Sequence, residues 1–249
     1  MKKNILIFIS LVLIFVPFYN SFGQNTNCIF DSKIKELQDF LNNQNLDYLT
    51  RYNKELSLRK EILSNIFECL ILESKNYIDV LNKLNIVKPA VGEMRNKLIN
   101  ELNKSIDYYK FRKDQIQSLS LDGLKYTAKS LKEDRESKFI PLNKIINNFI
   151  LWNKNEELFN LAQNRVIEIE KIINILKSKN NQEIENLFND IVQKLKISLN
   201  KHNNAYNAID SFDYDKASNL IQESLSDLLD VYKLIYDLSK KTFILAGVK

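Results

Sequence analysis

The strongest constraint on the fold is the spacing of apolar residues, which recur every third or fourth position along almost the whole chain. The longest run comprises Leu49, Tyr52, Leu56, Arg59, Leu63, Ile66, Leu70, Glu73, Tyr77, Val80 and Leu84. Most of these residues can face a core, so the run predicts one helix of about 38 residues. A seven-residue repeat keeps one stripe of a helix against its neighbour and indicates left-handed coiled-coil packing.

The same rhythm returns in later segments. The first stripe comprises Phe159, Ala162, Val166, Ile169, Ile173 and Leu176. The second stripe comprises Ile184, Phe188, Ile191, Leu195, Ser198, His202, Ala205 and Ile209. The third stripe comprises Tyr214, Ala217, Ile221, Ser224, Leu228, Val231, Ile235 and Leu238. A less regular stripe comprises Met94, Leu98, Leu102, Tyr109, Ile116 and Leu119. Because no segment alternates with a period of two, we expect no strands.

Glycine and proline are scarce, with four and three in the chain, so the few breaks are informative. The polar residues at 42–46, where the apolar stripe slips in phase, predict a turn, and a continuous helix with a stutter is the alternative. Pro89 marks the next connection. Mixed charges at 132–138 predict a solvated helix end, after which Pro141 suits the first turn of a new helix. The polar residues at 179–182 predict a further turn.

Short turns bring consecutive helices antiparallel. We therefore predict an all-α fold, an elongated antiparallel up-down bundle of about six helices with heptad packing. No domain boundary is visible, so residues 24–249 are expected to form a single helical-bundle domain.

The segment from Asp210 to Ala217 resembles the inner turn of a tetratricopeptide hairpin. In that motif an aromatic residue three positions before a small one locks two antiparallel helices, and Tyr214 precedes Ala217 in this way. The resemblance covers about 25 residues, with no second copy roughly 34 residues away as an array would need. It implies a tight helical hairpin and no family.

The N-terminus has the order of a secretory signal peptide. Lys2 and Lys3 precede an apolar run over residues 5–18, and the small residues Ser21 and Gly23 follow at positions −3 and −1 of a cleavage site. The run is shorter than the roughly 20 apolar residues of a membrane-spanning helix, and an uncleaved anchor is the alternative. We predict that residues 1–23 are a signal peptide and that this is a bacterial protein exported to the periplasm, the cell surface or the medium.

The charge balance argues against a nucleic-acid partner. The 36 basic and 31 acidic residues nearly cancel. A dedicated nucleic-acid binder normally shows a basic stripe and a domain pI above about 9.

Residue types that most catalytic sites need are missing or single. His202 is the one histidine of the chain, and four glycines leave no phosphate-cradling loop. His202 lies on an apolar stripe, so we interpret it as a core-edge histidine with one ring nitrogen hydrogen-bonded. The acidic residues Glu133, Asp134, Glu136, Glu168 and Glu170 alternate with basic ones on presumed outer faces. We therefore predict no catalytic residues, no metal site and no cofactor.

Three segments could contact a partner. Aromatic and basic residues interleave at 108–113, and there Phe111 with Arg112 is the predicted anchor pair. The C-terminal tail from Phe243 to Val248 is the second predicted contact. The most apolar stretch, 139–152, is interpreted as a buried helix, although it could dip into a membrane interface.

The two cysteines, Cys28 and Cys69, would meet oxidising conditions after export. A turn at 42–46 would bring their helices side by side, and a disulfide would then be reachable only if the helix ends fray or the turn lies further along the chain. A continuous helix would hold the cysteines far apart.

These features favour a non-enzymatic interaction protein, of scaffold, adhesin-like or chaperone-like type, that binds a protein or a cell-surface macromolecule. A membrane-active, pore-forming bundle is the alternative, so membrane contact is not favoured but stays open. A hydrolase that uses carboxylates ranks third.

Overall fold

The computed structural model describes residues 31–42, 47–176 and 182–245. In these ranges the α-helices are α1 (Asp31–Asn42), α2 (Tyr48–Asn82), α3 (Pro89–Gln115), α4 (Leu121–Asp134), α5 (Ile140–Leu176), α6 (Gln182–Asp210) and α7 (Tyr214–Leu245), with a 3-10 turn at Ile116–Ser118 and a π turn at Arg135–Phe139. The described residues contain no strand, which confirms the all-α prediction. The predicted signal peptide lies outside them, as do residues 43–46 of the turn predicted at 42–46 and residues 179–181 of the turn predicted at 179–182.

The chain divides into two compact units, an N-terminal unit up to Pro141 and a C-terminal unit from Leu142. Each unit is a helical bundle with its own core. The expectation of a single domain over residues 24–249 stays a prediction.

In the N-terminal unit α1 and α2 run antiparallel. Lys33 pairs with Glu61 at 3.1 Å, and Lys54 pairs with Glu36 at 3.0 Å. The residue numbers therefore increase along α1 while those of the facing residues decrease along α2, as in an antiparallel pair. This pairing agrees with the predicted turn between the helices and excludes one continuous helix through both.

Helix α2 spans 35 residues, close to the predicted length. Its buried face is wider than the predicted stripe, because α1, α3 and α4 all contact it and bury a second row that includes Leu58, Ile62 and Phe67. Leu49, predicted to face the core, is exposed instead. The reason is that the Arg51 guanidinium donates a hydrogen bond to the Leu41 carbonyl in the last turn of α1. The residues of α2 that precede Arg51 therefore extend beyond the end of α1.

Local chemistry explains where the helices begin. The Asp47 carboxylate accepts a hydrogen bond from the Thr50 N–H at 3.0 Å and caps α2. Pro89 occupies the first turn of α3, where its missing N–H costs nothing. The Ser120 hydroxyl caps α4 by accepting from the Gly123 N–H at 3.3 Å.

The predicted solvated helix end at 132–138 is wrong. A π turn there joins α4 to α5 without a break, and the Ile140 N–H bonds to the Arg135 carbonyl five residues earlier. The wider turn changes the phase of the helix by one residue, so Arg135 is buried inside the mixed-charge run.

The C-terminal unit packs α5, α6 and α7 together. Helix α6 runs antiparallel to α7, as shown by Lys194 with Asp230 and Lys201 with Glu223. The predicted stripes are its core: Phe159, Ala162, Ile173, Ile184, Ile191, Leu195, Leu228, Val231, Ile235 and Leu238 form one buried cluster.

The predicted hairpin between α6 and α7 is confirmed. Phe212 adopts a left-handed conformation with φ of 60°, and the next N–H, from Asp213, bonds to the Ala208 carbonyl at 2.9 Å. The Asp213 carboxylate then accepts from the Lys216 N–H and caps α7. Ala217 is fully buried, as the resemblance implied.

Candidate functional site

A polar layer crosses the core of the C-terminal unit. His202 of α6 is 1% exposed, and its Nε2 lies 2.9 Å from a carboxylate oxygen of Glu156 on α5. Its ring stacks on Trp152 at 5.0 Å and packs against Phe159 at 4.3 Å. The Trp152 indole N–H donates to the His202 carbonyl at 2.9 Å, so α5 and α6 are joined at both the backbone and the side chain.

Two serines complete this layer, Ser198 on α6 and Ser224 on α7. The Ser198 hydroxyl donates to the Ser224 carbonyl at 2.6 Å, and the Ser224 hydroxyl donates to the Ile221 carbonyl. Both serines are fully buried with their hydrogen bonds satisfied, which explains why two breaks in the apolar stripes are tolerated. His202 likewise has one bonded ring nitrogen, while Nδ1 makes no hydrogen bond. The arrangement fits the predicted structural histidine.

The N-terminal unit contains a second polar cluster, built on aromatic residues. The Arg135 guanidinium is buried and pairs with Glu73 at 3.2 Å. Tyr109 is buried beside it against Phe139, with ring centroids 4.8 Å apart, and this burial raises the pKa of the Tyr109 hydroxyl. This ion pair, in which the Glu73 side chain is partly exposed, joins α2 to the π turn.

Asp134 links α4 to α3 at the edge of that cluster. Its carboxylate accepts from the Tyr108 hydroxyl at 2.5 Å and from Lys138 at 2.6 Å. Partial burial acts to raise the pKa of Asp134, but these two hydrogen bonds outweigh it and hold the pKa below its usual value. Burial, together with the bond to Asp134, raises the pKa of Tyr108. The other predicted surface carboxylates, Glu133, Glu136, Glu168 and Glu170, are exposed.

The structure separates the members of the predicted anchor pair. Phe111 is 62% exposed and free to contact another molecule. Arg112 is half-buried, donates to the Ser130 hydroxyl at 2.9 Å and lies over the Tyr108 ring. It therefore serves to hold α3 against α4. Phe243 falls in the last turns of α7, and Val248 lies outside the described residues.

The apolar stretch at 139–152 is largely core. Ile145, Ile146, Phe149, Ile150 and Trp152 are buried. Its exposed apolar residue is Leu151, which faces away from the core. None of the described helices is long and apolar enough to cross a membrane.

Leu151 belongs to a surface that the sequence reasoning missed, which we call the α5–α7 groove. Its α5 wall carries the exposed residues Leu151, Leu158, Leu161 and Ile172, and its α7 wall carries Leu229 and Tyr236. Between the walls the Tyr232 hydroxyl bonds to the Leu158 carbonyl at 3.4 Å. The spacing of seven between Leu151 and Leu158 is the signal that could have revealed it.

Small-molecule and metal chemistry have little support among the described residues. No three His, Cys, Asp or Glu side chains gather there as metal ligands. An open depression of about 400 Å³ on α2 is lined mainly by polar side chains. Both of its charged groups are engaged, since Lys60 donates to the Gln117 carbonyl and Glu61 pairs with Lys33.

Cys69 lies half-buried on α2 and takes part in a disulfide. The other cysteine, Cys28, lies outside the described residues, so the Cys28–Cys69 pairing stays a prediction. The antiparallel register of α1 and α2, in which Lys33 pairs with Glu61, directs the described start of α1 toward the end of α2 that carries Cys69.

Comparison with known proteins gives no relative: no family model, curated protein or solved structure matches this chain.

Proposed function

We propose that the protein is a non-enzymatic, exported interaction protein that binds a protein partner or another cell-surface macromolecule along its helical faces. The observation that carries the proposal is the α5–α7 groove. Leu229 and Tyr236 on one wall are 58% and 59% exposed, and the apolar residues of both walls follow the helical repeat. Contiguous exposed apolar side chains on a folded protein commonly mark a binding surface.

Export is supported by two independent features. The residues at 1–23 have the order of a signal peptide. Cys69 is engaged in a disulfide, and such bonds persist mainly in oxidising compartments outside the cytoplasm. N-terminal sequencing of the protein from its native cell tests this part, because a mature chain that begins at Gln24 is expected.

A polar core argues for a structural role of the one histidine. His202 is enclosed by Trp152, Phe159 and Glu156, which leaves it no open side toward a substrate. The groove itself carries no histidine or cysteine. The enclosed position of His202 therefore favours a protein that binds a partner over one that catalyses a reaction.

Crosslinking in the native cell tests the proposed function. The tagged protein is treated with a short amine-reactive crosslinker, and discrete adducts are identified by mass spectrometry. We expect one or a few adducts with macromolecules of the cell envelope. Two results would contradict the proposal: no adduct beyond that of a non-binding exported control protein, or substrate turnover by the purified wild-type protein.

A further inference from the structure

We propose that the α5–α7 groove binds an amphipathic helix of a partner protein, one whose apolar stripe is bordered by Asp and Glu. This inference rests on the proposed function and names the site and the chemistry of its ligand. It follows from the direction of the two helices, the spacing of their exposed apolar residues and the charges beside them.

Helices α5 and α7 run parallel to each other in the C-terminal unit. The Asn148 amide of α5 donates to the Tyr214 carbonyl at the start of α7, and ten residues later the Leu158 carbonyl meets Tyr232 further along α7. Helix α6 packs on the other side of both. Two adjacent parallel helices leave a straight groove between them, and a third helix can lie in such a groove at an interaxial distance of about 8–10 Å.

The apolar residues of the groove have the spacing that a docked helix needs. Leu151, Leu158 and Ile172 stand at intervals of seven and fourteen along α5. On α7, Leu225, Leu229, Tyr232 and Tyr236 alternate by four, three and four. From Leu151 to Ile172 the wall extends about 32 Å at 1.5 Å per residue, which matches an occupant of roughly 21 residues. Anchors at such spacings recognise one face of an amphipathic helix.

The charge of the groove selects an acidic occupant. Lys154 and Arg165 stand on the same stripe of α5 as the exposed leucines, and neither forms an ion pair with a described residue. On α7 the Lys240 ammonium lies over the Tyr236 ring at 4.4 Å. Glu157 and Glu168 stand at the outer edge of the α5 wall, so three cations face two carboxylates and positive charge predominates by one.

Cations at the α6–α7 interface are paired, in contrast to Lys154 and Arg165 in the groove. At the α6–α7 interface Lys201 pairs with both Glu223 and Asp227, at 3.1 and 2.8 Å, and Lys194 pairs with Asp230. Those pairs close an interface that is already formed. The unpaired Lys154 and Arg165 flank apolar residues that have no neighbour, as expected of an interface that awaits a partner with carboxylates.

The test uses the mature chain and designed peptides of about 21 residues as probes. One peptide carries Leu at helical heptad positions with Glu on both borders. A matched peptide keeps the leucines and replaces every Glu by Lys. Binding is measured by fluorescence anisotropy of the labelled peptide at low and at physiological salt.

We expect the acidic peptide to bind at least tenfold more tightly than the basic one. Leu158→Asp with Leu229→Asp should weaken the acidic peptide at least tenfold, because a buried leucine contributes roughly 2 kcal/mol. Ile197→Asp is the matched control, since Ile197 is a similarly exposed apolar residue on α6, outside the groove. It should leave binding unchanged. Lys154→Glu with Arg165→Glu should reverse the preference between the two peptides.

Three outcomes would overturn this inference: equal affinity for both peptides, loss of binding with Ile197→Asp, or no binding of either peptide below about 1 mM. Vesicles with anionic lipid and sedimentation of the protein alone test the other occupants. Vesicle binding, or a dimer, that Leu158→Asp abolishes would assign the groove to a membrane or to a second copy. If crosslinked adducts still form in the cell, the proposed function stands while this occupant is rejected.

Discussion

Replacing His202 by Ala should destabilise the C-terminal unit strongly. The imidazole is 1% exposed, and its removal leaves a cavity between Trp152 and Phe159 that the stacked rings cannot fill. Loss of a buried ring of this size costs about 2–3 kcal/mol, below the 3–5 kcal/mol of a phenylalanine. The bond to Glu156 adds about 1 kcal/mol, at the low end because that carboxylate is partly exposed and can turn to water.

The expected loss is therefore about 3–4 kcal/mol, or roughly 6–16 °C in Tm for a chain of this size. Far-ultraviolet circular dichroism follows the melt. Trp152, the one tryptophan of the chain, reports on the site directly through its emission. Glu168→Ala, on the exposed face of α5, is the control and should change the unfolding free energy by no more than about 0.5 kcal/mol. A His202→Ala variant that melts within about 2 °C of the wild type would refute this account of the polar layer.

Other predictions concern the N-terminal unit. Arg135→Ala should cost about 1.5–3 kcal/mol in urea unfolding, because it removes a buried guanidinium from the partly exposed Glu73 carboxylate, whereas Lys129→Ala, at an exposed pair, should cost under about 1 kcal/mol. The folded-state pKa of Asp134 is lowered, so its carboxylate stabilises the fold above about pH 4 and this contribution is lost as pH falls. Asp134→Asn should thus lower the unfolding free energy at neutral pH, and the difference should vanish in acid. Alkylation of the unreduced, denatured protein should label neither Cys28 nor Cys69, and prior reduction should expose both; two free thiols without reductant would exclude the disulfide.

Much of the fold follows from a short-range property of the sequence. The stripes from Ile184 to Ile209 and from Tyr214 to Leu238 are buried almost residue for residue, because helical periodicity alone decides which side of a helix is apolar. The hairpin at Phe212 was also predictable, since its aromatic and small residues are close in sequence.

The π turn was not predictable in this way. Residues 132–138 read as a solvated end because charged residues dominate them. Burial of Arg135 depends on Glu73, which lies 62 positions earlier in the chain. The residues around position 135 therefore give no indication that Arg135 has an acidic partner.

The polar layer and the groove show the same limit. His202 and Glu156 are 46 positions apart, and only the packing of α5 on α6 brings them together. Leu151 was taken for core because its neighbours in sequence are core. The number of helices that surround a given helix decides which of its apolar stripes stays exposed. The periodicity of the sequence does not reveal that number.

Site-specific photo-crosslinking in the native cell tests the central claim most directly. A photoreactive amino acid is placed in turn at Leu158 and Leu229 in the α5–α7 groove, at Ile197 on α6, and at the predicted contact Phe111. The account predicts a discrete adduct of the same mass from Leu158 and Leu229, and none from Ile197. An adduct from Phe111 would add a second contact. If Ile197 captures the same species as the groove positions, or if none of the four positions yields an adduct, the claim that this protein acts by binding through its helical faces at this groove is contradicted.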